Sequence, residues 1–525
     1  MSVLSLPLVR KELREALRAR AALIIENLYL LALACTAAVW LYLSSRVGEP
    51  SWVCGRGAFW GIAKVQAMLL GLVAAALAAA TITTEREQKT EDILLSSPAH
   101  VRQIVRSKLT AMAALLFTFL LLSLPVTVIC LYLGGLTWQE VALAYLITAV
   151  WLLLALAVGL LSGALFRRTI AAVPLAIVAT FLWDMMGMAW ADAGGGWPHG
   201  AFSGTGGLVL AQQGIPLKFF GLNLPLALVA ILLCLPLAAC LTESALDRVR
   251  LPHRSRPVQQ RVWLALSVLL VSAVTLGRLA VERAPAYGSP WDNLLMSLTF
   301  HGGILIVAAV IFSSQGFGKR DLASLGGRYL SFTDGLFGSG PRAGARFVMA
   351  LSLIILGGWG ISWMASDAPL ARPAWRVALA LGCLLFGIWV ACLLSQLVAF
   401  WRLLKREWLR RTIAALLVAL AFGLPPALAA WLWRGHEVPP PASVALFLTN
   451  PIAGCLFSFD PLQGAGGSPF AAHLNDLYPL GGYTLAFMLA LGALLCLALW
   501  RLRLRHQRAL AARAESPSPD LSTSV

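Results

Sequence analysis

Charge is scarce in this chain: 12% of its 525 residues are Asp, Glu, Lys or Arg, while 59% are hydrophobic. Soluble domains carry about 25% charge, so this composition excludes an ordinary water-soluble globule. No G-x-x-x-x-G-K-[ST] run is present. Its nearest approach, "GFGKRD" at 316–321, lacks the spacing and the hydroxyl that phosphate and magnesium require. H-E-x-x-H and G-x-S-x-G are also missing, which removes the zinc-peptidase and serine-hydrolase signatures. The nine cysteines form no C-x-x-C pair and no cluster with histidine. Seven of them (Cys35, Cys130, Cys234, Cys240, Cys383, Cys392 and Cys496) fall inside apolar runs, where a thiol acts as a small hydrophobe. Cys54 and Cys455 map to loops on one side, where a pair can in principle form. Period-2 alternation is absent as well, which excludes a membrane β-barrel.

What is there is hydrocarbon in long continuous runs. A helix needs about 20 apolar residues to cross the bilayer core. Twelve segments qualify, near 21–44, 59–83, 109–133, 141–165, 170–191, 221–242, 263–281, 293–313, 347–366, 377–401, 412–433 and 480–500. The predicted fold is therefore an all-α polytopic membrane protein of about twelve transmembrane helices, with both termini cytoplasmic. No cleavable signal peptide is expected. Leu6, Val9, Leu13 and Leu17 share one helical stripe, with Arg10, Lys11, Arg14 and Arg18 elsewhere, which predicts an amphipathic helix on the cytoplasmic membrane surface.

The net charge of +17 raises the question of nucleic acid. Its distribution answers otherwise. With twelve spans and an inner N-terminus, 32 of the 41 lysines and arginines lie on the cytoplasmic side. Only Arg46, Arg56, Lys64, Lys218, Arg278, Arg283, Arg372, Arg376 and Arg434 fall elsewhere. Such a split orients the chain and faces anionic lipid, so membrane lipid is the expected partner of this charge and nucleic acid is not.

An internal repeat is visible at an offset of 243, the distance between "RRTIAA" at 167–172 and its copy at 410–415. The same offset lays "TEDILLSSP" (90–98) over "TDGLFGSGP" (333–341), pairing Thr90 with Thr333, Glu91 with Asp334 and Pro98 with Pro341. The expected organisation is a first six-span repeat over 1–245, a cytoplasmic linker over 246–261 and a second six-span repeat over 262–509. A disordered cytoplasmic tail follows over 510–525. Six is even, so the two repeats share one orientation, with loops 192–220 and 434–479 outside.

The loop at 84–108 between spans two and three carries the most information. Glu85, Arg86, Glu87, Lys89, Glu91, Asp92, Arg102, Arg106 and Lys108 surround the apolar Ile93, Leu94 and Leu95. The second span is expected to run on through Glu85–Glu87. Ser97 suits a helix N-cap and Pro98 a first helical residue, so a second helix should start there. An apolar ridge rimmed by charge marks a partner surface; the competing reading tucks it into the lipid headgroups.

The pattern E-R-E-x-x-T-x-D-x-L-L-x-S-P, followed by I-V-x-x-K, resembles the coupling segment of type-2 ATP-binding-cassette exporter permeases. "LPLVRKELREALRARAALIIENLYLL", "GLLSGALFRRTIAAVPLAI" and "NPIAGCLFSFDPL" resemble other stretches of that family. The resemblance implies a non-enzymatic permease in the bacterial inner membrane. ATP and magnesium would be held by separate cytoplasmic ATPase subunits, the two in-register loops of the repeat predict two of them per chain, and no cofactor or metal is expected in this chain. It assigns ATPase coupling to Glu85, Arg86, Glu87, Thr90, Glu91, Asp92, Leu94, Leu95 and Pro98. The second loop, 314–346, keeps Thr333, Asp334, Leu336, Phe337 and Pro341, lacks the Glu-Arg-Glu triad, and is interrupted by Gly335, Gly338 and Gly340. It is a degenerate copy, which predicts one strong and one weak docking point.

Other readings are weaker. A secondary transporter of the major-facilitator type also has six plus six spans, but its G-x-x-x-D-R-x-G-R loop is missing. Glu26 and Asp184, its candidate coupling carboxylates, lie near span ends. A membrane enzyme would have to use His436, Glu437, Asp460, His473 and Asp476 of the 434–479 loop, which read more simply as solvated residues. Met185, Met186 and Met188 beside Asp184 present soft ligands suited to Cu(I). They do not share one helical face, and packing explains them better.

Overall fold

Apolar runs become helices because lipid offers the backbone no hydrogen-bonding partner, so each N–H must be satisfied within its own segment. The computed structural model describes residues 9–11, 13–14, 20–88, 101–166, 168–192, 198–214, 217–219, 222–249, 257–279, 290–313, 336, 341–365, 374–399, 407–422 and 480–515. The helices are α1 (Arg20–Val47), α2 (Ser51–Glu87), α3 (Val101–Leu122), α4 (Leu124–Leu133), α5 (Trp138–Leu165), α6 (Thr169–Asp192), α7 (Gly204–Gln213), α8 (Leu226–Val249) and α9 (Pro257–Leu279). They continue with α10 (Pro290–Ser313), α11 (Pro341–Ala365), α12 (Ala374–Ala399), α13 (Glu407–Phe422) and α14 (Leu480–Glu515). Of the expected N-terminal surface helix, residues 9–11, 13 and 14 are described, and they are helical.

Ten described helices are long and apolar enough to cross a membrane, each where a span was expected. The other two expected spans, 293–313 and 412–433, contain the shorter apolar helices His301–Ser313 and Ile413–Phe422. The chain is thus an all-α polytopic membrane protein. The third span is broken at Ser123 between α3 and α4, where Pro125 has no N–H to continue the ladder. The Ser123 hydroxyl donates to Leu120 O at 2.7 Å and lies 2.7 Å from the Tyr145 hydroxyl, so the break is satisfied locally. α5 starts with a capping box. Thr137 Oγ1 accepts from the Glu140 N–H, and Glu140 Oε2 accepts from the Thr137 N–H at 2.9 Å. Glu140 also pairs with Arg56 on α2 at 2.9 Å. Cys54, expected in a loop, instead lies in the first turn of α2 as a buried free thiol, because that helix begins at Ser51.

The stretch 192–220, expected as an outside loop, carries secondary structure of its own in its described residues. It holds a short 3-10 helix (Pro198–Phe202), α7 and strand β1 (Leu217–Phe219), which pairs antiparallel with β2 (Leu222–Leu224) in the register Leu217↔Leu224. Gly204 to Leu210 are all buried. Glycine permits this: a Cβ on Gly206 would lie 2.5 Å from Gly187 O, so α6 and α7 meet backbone to backbone.

Two compact units divide the chain, Met1–Val281 and Glu282–Val525. In the first, α2 and α5 are central, and α9 packs on α8 and β1, so the unit closes one helix beyond the 246–261 segment. Arg261, at the start of α9, is fully buried there, and neighbouring Gln260 Nε2 donates to Glu243 O. α2 and α5 approach through small residues. A Cβ on Gly163 would lie 2.6 Å from Ala79 O, and Gly159 faces Ala75 just as closely. Ala75 and Ala79 also pack with Ala172 and Ala176 of α6. Small-for-small contact is how membrane helices gain dispersion energy without a hydrophobic driving force. In the second unit α12 is central and packs against α10, α11, α13 and α14. There Phe312 meets Phe347 edge-on at 5.7 Å, and His301 meets Trp359 at 5.6 Å.

Candidate functional site

The α2 stripe Ala75, Ala79, Thr83, Glu87 advances four residues at a time, so it stays on one face. Its lower steps seat α2 on α5 and α6. Its upper steps deliver polar groups to the turn between those helices. Thr83 Oγ1 accepts a hydrogen bond from Thr169 Oγ1 at 2.8 Å, and Glu87 Oε1 accepts one from the Thr169 N–H at 2.7 Å. Thr169 is the first residue of α6, so Glu87 places a carboxylate on an N-terminal N–H that has no partner within its helix.

Arg86 treats the other side of the turn in the opposite sense. Its Nη1 faces three carbonyl oxygens at the end of α5, donating to Phe166 O (3.0 Å), Ala164 O (3.2 Å) and Gly163 O (3.3 Å). Helix C-terminal carbonyls also lack partners within the helix. A cation at a helix C-terminus and an anion at an N-terminus each contribute about 0.3–1 kcal/mol where partly exposed. Both signs are right here. Glu85 completes the group with an ion pair to Lys108 of α3 at 2.7 Å. The tip of α2 thus ties together α3, the end of α5 and the start of α6.

Of the sequence-predicted coupling residues, the structure brings Glu85, Arg86 and Glu87 together. Thr90, Glu91, Asp92, Leu94, Leu95 and Pro98 lie outside the described residues, as does the expected helix start at Ser97 and Pro98. In the second loop Thr333, Asp334 and Phe337 lie outside them too. Leu336 is helical and half-buried, and Pro341 opens α11. Sequence reasoning missed Thr83, Gly163 and Thr169 as members of the site. The available signals were the four-residue spacing of Thr83 and Glu87, and the position of Thr169 directly after two arginines and before an apolar run.

A second polar cluster sits at the far end of α6. Asp184 is 1% exposed, its Oδ1 accepts from the Thr205 N–H at 3.0 Å, and Thr205 Oγ1 donates to Asp184 O at 3.3 Å. The carboxyl therefore anchors the N-terminus of α7. Met186 is 54% exposed, so Asp184 and Met186 do not converge on a metal. Among the described residues no group of three His, Cys, Asp or Glu side chains is placed to hold one.

Comparison with known proteins gives one family: the model described as "ABC-2 family transporter protein" matches residues 6–322, more than half of the chain. No curated protein matches, and no solved structure does.

Proposed function

The chain belongs to the ABC-2 transporter family, and we propose that within it this chain is the exporter permease that docks its ATPases on the loop following α2. As a family member it is an integral membrane protein and the transport component, not the enzyme, of an ABC transporter. The partner class that membership implies is an ABC ATPase. In the proposed reading ATP and magnesium are held by separate cytoplasmic subunits, and substrate moves outward across a bacterial inner membrane. Docking uses the ridge of Leu94 and Leu95 with Thr90, Glu91, Asp92 and Pro98 around it. A weaker point on the second loop uses Thr333, Asp334, Leu336, Phe337 and Pro341.

The observation that carries this reading is the continuation of α2. The helix runs on past its last buried apolar residue, Ile82, to Glu87 and is held by polar contacts on three other helices. A loop that only connected two spans would need no such anchoring, whereas a loop that receives force does. The fused-repeat reading has its own support. The helix pairs that pack in the first unit (α2 with α5, α6 and α3; α5 with α3, α6 and α8) have counterparts in the second at the 243-residue offset. These are α10 with α12, α13 and α11, and α12 with α11, α13 and α14.

The test is co-purification from lipid nanodiscs of an ATPase that carries a phosphate-binding loop. Burial of a leucine side chain contributes about 1.5–3 kcal/mol, and two buried carboxylates would have to be desolvated in its place. Leu94→Asp with Leu95→Asp should therefore release the ATPase, and Leu336→Asp with Phe337→Asp should release less. Native mass should give one permease chain with two ATPase subunits. Retention of the ATPase by the first double variant, or two permease chains in every assembly, would defeat the corresponding part.

A further inference from the structure

The third span carries a cluster of neutral polar groups that docking does not use. Phe119, Ser123, Thr127 and Cys130 are all buried, and their spacing keeps one face running across the break between α3 and α4. Two tyrosines flank that face. Tyr145 of α5 places its hydroxyl 2.7 Å from Ser123 Oγ and 2.8 Å from Thr127 Oγ1, with one contact on each side of Pro125. Buried Gln66 of α2 faces the same hydroxyl. Tyr29 of α1 stacks on Phe119 with ring centroids 6.4 Å apart. Its hydroxyl lies beside Ser123 but forms no hydrogen bond, although Tyr29 is 4% exposed.

A hydroxyl has one proton to donate and two lone pairs to accept with. Ser123 gives its proton to Leu120 O, so Tyr145 must be the donor to Ser123 Oγ. Tyr145 then has no second proton, and Thr127 donates to it, with Ser123 O at 3.3 Å as the alternative acceptor for Thr127. The same groups have a second arrangement. Tyr29 donates to Ser123 Oγ, Tyr145 turns to Thr127 Oγ1, and Thr127 returns its proton to Ser123 O. That arrangement places every hydroxyl proton, whereas the one seen here leaves that of Tyr29 unplaced in an interior where such groups are normally satisfied. Passing between them requires α3 to lean from α5 toward α1. α4 is held back from following. A Cβ on Gly55 of α2 would lie 2.8 Å from Gly134 O and 2.9 Å from Cys130 O, so the far end of the span is seated on the α2 backbone.

We propose that Ser123 is a two-position joint in the third span. At it α3 pivots against a fixed α4, and the Ser123 hydroxyl is held by Tyr145 in one position and by Tyr29 in the other. The joint uses no charged group and no partner chain, so it stands apart from the docking reading. At the 243-residue offset Ser123 has a counterpart in Ser366, but Tyr29, Pro125 and Tyr145 correspond to Ser272, Ala368 and Ile388. The second repeat therefore has neither tyrosine nor the proline, and the joint is confined to the first.

Pulsed EPR on the full chain in nanodiscs tests the joint. Spin labels are attached through a keto amino acid at exposed Thr110 of α3 and exposed Leu153 of α5, which leaves the native thiols in place. Thr110 lies about 20 Å along α3 from Ser123, so a change of about 20° in the bend moves it about 7 Å. The wild type should give two distances. Tyr29→Phe should keep only the shorter one, and Tyr145→Phe should enrich the longer about fivefold. With Ser123→Ala neither tyrosine has its acceptor, so adding Tyr29→Phe should change nothing further. Pro125→Ala restores the missing backbone N–H; it should merge the two distances into one and serves if a tyrosine variant folds poorly. A single distance in the wild type, or a shift in the same direction in both phenylalanine variants, overturns the joint.

Discussion

Gly159 tests the packing on which the site depends. A Cβ built there meets the carbonyl oxygen of Ala75 and lies 2.7 Å from the Ala75 Cα and 2.8 Å from its carbonyl carbon. All three atoms are backbone, so no rotamer change relieves the clash. α2 or α5 must shift instead. Overpacking of this kind costs about 1–3 kcal/mol, and a backbone obstacle places Gly159→Ala at the upper end. The substitution also gains about 0.8–1.0 kcal/mol of helix propensity, leaving a net loss near 2 kcal/mol. Gly357 in α11 supplies the control, because a Cβ there has nothing within 4 Å. Gly357→Ala keeps the propensity gain without the clash and should stabilise. Reversible denaturation in mild detergent of the two variants and the wild type should order them Gly357→Ala, wild type, Gly159→Ala. A second arm separates backbone from side-chain contact: Ala75→Gly, added to Gly159→Ala, should not rescue it, since the obstructing oxygen remains. Stability of Gly159→Ala equal to or above that of the wild type would refute the argument.

The anchoring of α7 gives another expectation. Asp184→Ala leaves the buried Thr205 N–H without its acceptor, a loss of about 1–3 kcal/mol, whereas Asp184→Asn keeps a carbonyl oxygen and should lose less; thermal melting in detergent would expose equal effects, which would count against the anchor. Topology is open to thiol labelling in a cysteine-free background. A cysteine at exposed Gln213 should react with an impermeant reagent in intact cells, and one at Ser516 should not; reaction at Ser516 would place the C-terminus outside.

Helix number and kind were legible in advance because the bilayer imposes one rule on every segment: a run of apolar residues long enough to cross must satisfy its own backbone. Ten of the predicted spans coincide with long apolar helices for that reason. The 192–220 stretch was not legible. Its glycines read as loop, since composition records the absence of side chains but not whether that absence admits solvent or another backbone. Here it admits α6, and α7 and paired strands lie in and beside the stretch that was expected only as a loop.

The coupling segment divides in the same way. The sequence by itself determined that a charged segment with an apolar ridge follows the second span, and that Glu85, Arg86 and Glu87 stand at its start, because local order and spacing record which groups are neighbours along one helix. Only the tertiary structure decided what those charges hold. Arg86 reaches residues 77 to 80 positions away, and Glu87 reaches one 82 positions away. The choice of partners was made by the register of α2 on α5, set by Ala75 against Gly159 and Ala79 against Gly163. Non-local register is a property of how two surfaces fit, and no single stretch of the chain contains it.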